Sequence, residues 1–148
     1  MKNLILIILF ISSITNAQSI DYNTKKNFIA DGYDVVAYFE NKAIMGNKNF
    51  ITTYDGAKYK FSSQQNLELF IENPQKYIPQ YGGYCAYAVA VKSDKVNIDP
   101  KTFEIRDNKL YLFYNAWGTN TLNLWLEENP KNLIQKADEN WETIKNKK

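Results

Sequence analysis

Cys85 is the sole cysteine of the 148-residue chain, and the chain has no histidine. Those two counts bound its chemistry. Without histidine there is no Ser-His-Asp or Cys-His nucleophile pair and no His-based zinc site. A lone thiol pairs with no second cysteine in the same chain. It is a small buried apolar residue, a soft ligand for a metal such as copper, a nucleophile, or half of a Cys85-linked dimer. If residues 84–91 form a helix entered through Gly82 and Gly83, Cys85 lies in its first turn. There, free N–H groups and the helix dipole favour the thiolate. A metal site would need further donors, and the candidates are Met45, Asp34 and Asp99 or a second subunit.

Tyr77, Tyr81, Tyr84 and Tyr87 recur at intervals of three and four. On one helix they would form a stripe, with Tyr81 and Tyr84 offered to a sugar or another flat ligand; the alternative is core and rim packing. Asp34 sits inside the apolar run 33–39, and a buried carboxylate needs hydrogen-bond donors. It reads as a link to a backbone turn, with a functional acid as the alternative. Asp34 and Asp99 complete the candidate ligand-binding residues. No carboxylate pair, phosphate-cradling glycine loop or metal box is present, and no catalytic set is identified.

The elements that would position these residues follow from local pattern. Residues 33–39, β-branched and aromatic, predict a buried strand. Residues 50–54 and 57–61 predict a hairpin around Asp55 and Gly56. Ser62, with Gln65 three residues on, has the form of a capping box opening a helix that ends at Asn73 and Pro74. Residues 84–91 predict a helix on their length and alanine content, with a strand left open by their valines. Residues 103–106 and 110–114 predict a second hairpin around Asp107 and Asn108. Two helices close the chain, 119–128 and 131–145, split by Asn129 and Pro130. The fold class is α+β: a small antiparallel sheet from two hairpins with helices packed on it, in a single domain.

Residues 1–17 carry the three-part layout of a signal peptide: Lys2, the apolar run 4–11, then Thr15 and Ala17 at the −3 and −1 positions. The apolar run is shorter than the roughly 20 residues of a spanning helix. Sec-type export with cleavage after Ala17, to the periplasm or the exterior, is the expectation. It leaves a lead-in at 18–31, a domain at 32–145 and a tail at 146–148. The formal charge is +2, and removing Lys2 lowers it by one. That balance leaves no electrostatic footprint for nucleic acid, and no permanent membrane span is expected.

Taken in order, 32–38 (Gly-Tyr-Asp-Val-Val-Ala-Tyr), 54–62, Asn66, Phe70, Asn73-Pro74, Tyr77, 79–86, Asp99-Pro100, 109–112, Ala137-Asp138 and Trp141 resemble the exported branch of the YHS-domain family. The resemblance implies a binding module for a metal ion, of copper type. Metal-handling members carry a Phe-Cys-Ser-x-x-Cys pattern. The matching positions here are Phe61, Ser62, Ser63 and Asn66, and neutral oxygen and amide groups do not replace soft thiolates. Cys85 is then the sole soft ligand. The alternatives are a thiol-dependent enzyme or redox-linked protein using Cys85, and a structural or interaction domain.

Overall fold

The computed structural model describes residues 19–148. The signal-peptide reading of 1–17 therefore lies outside the described residues. The chain forms one α+β domain. A four-stranded sheet has the order β1-β2-β4-β3, from β1 (Thr24–Lys25), β2 (Phe28–Ile29), β3 (Asn47–Tyr54) and β4 (Ala57–Phe61). β2 runs parallel to β4, and the other pairs are antiparallel. A second sheet pairs β5 (Asp99–Arg106) with β6 (Lys109–Phe113). A third is the small hairpin of β7 (Asn115–Ala116) and β8 (Thr119–Asn120). The helices are α1 (Gln64–Glu72), α2 (Pro74–Tyr77), α3 (Ala86–Lys92), α4 (Thr121–Glu127) and α5 (Pro130–Ile144).

Both expected hairpins form at the expected turns, with positive φ at Asp55, Gly56, Asp107 and Asn108. The two Asn-Pro pairs each close one helix and open the next, with Pro74 and Pro130 in the first turn, where a missing N–H costs nothing. Among the described residues, no helix is long and apolar enough to cross a membrane.

Strand β6 organises the interior. Leu110, Tyr111, Leu112 and Phe113 are all buried. Successive side chains of a strand point to opposite faces, and here each face has its own core. Leu110 and Leu112 pack with Tyr38, Tyr59, Phe61 and Phe70 on the side of the four-stranded sheet. Tyr111 and Phe113 pack with Val89, Trp125, Leu133 and Ala137 from α3, α4 and α5.

Two expectations fail. Residues 33–39 are not a strand. Tyr33 makes a single bridge to Met45, and the chain then turns into a short 3-10 helix, Ala37–Glu40. The cause is Asp34, whose Oδ1 accepts the N–H groups of Val36 (2.9 Å) and Ala37 (3.2 Å). A side chain that captures the next backbone donors takes them from any ladder. The capping register also differs by one. Ser63, not Ser62, is the N-cap of α1, its Oγ accepting the Asn66 N–H at 3.1 Å. Ser62 is held by Asp34 instead.

Candidate functional site

Asp34 is fully buried and is the hub of the first core. Its Oδ2 accepts from the Ser62 N–H (2.8 Å), the Ser62 hydroxyl (2.6 Å) and the Asn66 side-chain amide (2.7 Å). With Val36 and Ala37 on Oδ1, both oxygens are filled by neutral donors. Ser62 and Asn66 are the positions where thiolates would be expected from the resemblance, and here both point at one carboxylate oxygen. The arrangement locks the 3-10 turn to the start of α1. Asp34 has no open face for a ligand.

Asp99 is similarly engaged. Its two oxygens accept the Lys101 N–H and the Thr102 hydroxyl, each at 3.0 Å. This fastens the irregular start of β5, where the register shifts between Asp99 and Phe103.

The four tyrosines do not share a helix. Tyr77 ends α2 and meets Phe39 edge-on, with centroids 5.2 Å apart. Tyr81 lies in a 3-10 turn at φ 54 and donates its hydroxyl to Asp138 at 2.9 Å. Tyr84 donates to Asp21 at 2.9 Å, and Tyr87 on α3 donates to Glu128 at 2.6 Å. Burial, joined by the Asp21 hydrogen bond and charge, pushes the Tyr84 phenol up to about 12. Burial and Asp138 push Tyr81 well above its ordinary value. The Glu128 hydrogen bond, followed by burial, pushes Tyr87 up to about 12. These phenols stay protonated at neutral pH and act as donors, not as bases.

Cys85 is buried and occupies the N-cap position of α3, one step before the helical turn in which it was expected. Its N–H donates to the Val96 carbonyl at 2.9 Å, and it bridges to Leu112 of β6. The sulfur lies 3.3 Å from Thr121 Oγ1. Thr121 gives its one hydroxyl proton to the Tyr114 carbonyl at 2.9 Å. In the contact with sulfur, Thr121 is therefore the acceptor and the Cys85 S–H is the donor. The Cys85 side chain makes no capping hydrogen bond to the N–H groups of α3.

The other candidate donors do not gather round Cys85. Met45 is exposed and lines a separate cleft of about 380 Å³ with Tyr33 and Lys60. No group of three His, Cys, Asp or Glu side chains able to hold a metal ion occurs among the described residues. The donor set does not fit a copper ion held within one chain.

What Cys85 does adjoin is a cavity of about 610 Å³ between α3, α4 and the β7–β8 hairpin. Cys85, Ala88, Val91, Val96 and Leu124 line it, with Thr121 beside the thiol. Thr121 and its neighbours carried no signal in the sequence. Thr121 lies 36 positions from Cys85, and only the packing of α4 against α3 joins them.

The described residues form a single α+β domain with a cavity beside Cys85 and no cluster of three metal-ligating side chains. Residues 35–81 match the family model of the YHS domain. No curated protein and no solved structure matches the chain. The matched segment contains Ser62, Asn66 and Tyr81. Cys85 and the cavity lie beyond it.

Proposed function

We propose that this YHS-domain chain is a binding module for a small organic molecule, held in the cavity beside Cys85 and Thr121, and that it works outside the cytoplasm. The cavity carries the reading. Its volume of about 610 Å³ lies within the roughly 300–1,000 Å³ of ordinary small-molecule sites, and a mostly apolar wall with a few polar groups is their usual composition. The layout of residues 1–17 supports export.

A metal-ion role, which the YHS resemblance implies, would rest on Cys85 alone within the chain. That sulfur donates to Thr121 and lacks a second soft neighbour. A thiol-dependent activity would need the same buried group to become a nucleophile with no base beside it. The organic-ligand reading needs neither change. Two measurements on the mature protein test it. Thermal-shift screening against small organic compounds is expected to give stabilising hits. Cu(I) competition against a chromophoric chelator is expected to give the same weak result for wild type and Cys85→Ser. A tight equivalent of Cu(I) in wild type that Cys85→Ser loses would overturn this reading in favour of metal handling.

A further inference from the structure

We propose that the cavity takes an organic anion, an apolar or aromatic body carrying one carboxylate or sulfonate, with its negative group at Lys92. The proposal rests on the cavity being the binding site. The lining sorts by chemistry. Ala88, Val91, Val96 and Leu124 offer an apolar surface, which favours a hydrocarbon or ring over a sugar. Two of the four hydroxyl groups on the wall are committed within the protein. Thr121 donates to Tyr114, and Tyr87 donates to Glu128 at 2.6 Å.

Charge then sets the sign. Lys92 is the one charged residue lining the cavity. It is exposed and has no ion pair among the described residues. Glu128 accepts the Tyr87 phenol and is not itself among the lining residues. A cationic ligand would meet Lys92 as repulsion, and a polyanion would find no second cation in the wall. One negative group on an apolar body fits both.

The test titrates the full mature chain with two fluorescent probes of the same ring skeleton, anilinonaphthalene sulfonate and its neutral counterpart N-phenylnaphthylamine. Both are expected to bind, the sulfonate about fivefold tighter, the scale of one solvent-exposed ion pair. Lys92→Ala brings the two to parity, and so does about 1 M salt, where the screening length is about 3 Å. Val91→Trp fills the cavity from a partly exposed position and weakens both probes by about tenfold, while circular dichroism and melting temperature stay near wild type. Parity in wild type, or a sulfonate preference that survives Lys92→Ala, overturns the anion assignment and leaves the cavity reading standing. Failure of both probes to bind, or binding indifferent to Val91→Trp, overturns the cavity reading and the anion proposal with it.

Discussion

Asp34 and Ser62 are joined twice: Ser62 donates its backbone N–H at 2.8 Å and its hydroxyl at 2.6 Å to the same carboxylate oxygen. Removing the carboxylate orphans those donors together with Val36, Ala37 and Asn66. Hydrogen bonds to a charged group are worth about 1.5–3 kcal/mol, and an unsatisfied buried donor carries its full desolvation cost. Asp34→Ala is expected to lose about 3 kcal/mol or more in urea unfolding. Ser62→Ala, which removes only the hydroxyl, is expected to lose about 1–2 kcal/mol. An Asp34→Ala protein within about 1 kcal/mol of wild type would show that the hub does not hold the fold.

The thiol of Cys85 is expected to be silent in the folded protein. It is 0 % exposed and donates to Thr121, whereas reactive cysteines are accessible and carry thiolate character. A chromogenic disulfide reagent at neutral pH should label the native chain negligibly and label it stoichiometrically after denaturation. Rapid native labelling would make the thiol-dependent activity the leading reading. A covalent dimer that disappears on reduction would do the same for the Cys85-linked dimer.

Asp21 gives a pH signature. Burial by itself would raise its carboxyl, but hydrogen bonds from Lys95 and Tyr84, with the Lys95 charge, hold it below the ordinary 3.8. A group whose folded value is depressed stabilises above its unfolded value, and that contribution is lost as pH falls through the folded value. Asp21→Asn is therefore expected to be less stable than wild type at pH 6, by about 1 kcal/mol for a partly exposed pair. The difference should close as pH drops below 3.8. Urea midpoints at pH 6 and pH 3 measure it, and a difference unchanged between them would refute the linkage. The clamp matters to the architecture. Lys95 also donates to the Lys147 carbonyl and lies over the Trp141 ring at 5.7 Å, so it ties both ends of the described chain to the loop after α3.

Trp117 stands 97 % exposed at the tip of the β7–β8 hairpin. Its φ is 53°, and that of Gly118 is 79°. Two consecutive positive φ values mark the turn in which Asn-Gly is favoured, and a bulky side chain in the left-handed region is strained. Trp117→Asn is expected to raise stability by about 0.5–1 kcal/mol, read as a higher melting temperature. A lower one would mean that the indole supports the fold in solution.

The parts of this fold legible in the sequence are those governed by near neighbours. Asp55-Gly56 and Asp107-Asn108 specify hairpins because turn chemistry acts over four residues. The Asn-Pro pairs punctuate helices for the same local reason. The absence of histidine removes whole classes of mechanism wherever the chain goes. The run 33–39 marks the limit. Val35, Val36, Ala37 and Tyr38 are all buried, and burial on every side is what a two-faced strand and a packed turn have in common. Asp34 decides between them, and it does so only once Ser62 and Asn66, 28 and 32 positions away, close on its other oxygen.

The candidate site shows the same division. That one cysteine would stand without a thiol or imidazole partner is a property of composition. Its place at the N-cap of α3, its donation to Thr121 and the cavity beside it are properties of packing. Sequence spacing would put Tyr77, Tyr81, Tyr84 and Tyr87 on one face if one continuous helix carried them, with core and rim packing as the alternative. The glycines at 82 and 83, both at positive φ, break that helix and send each hydroxyl to a different carboxylate or core. Residue types set what chemistry this chain can do, since a side chain keeps its donors, acceptors and charge in any fold. Only the tertiary structure decided which groups meet, because the contacts that fill Asp34 and hold Cys85 join segments tens of residues apart and exist only when both cores are closed around β6.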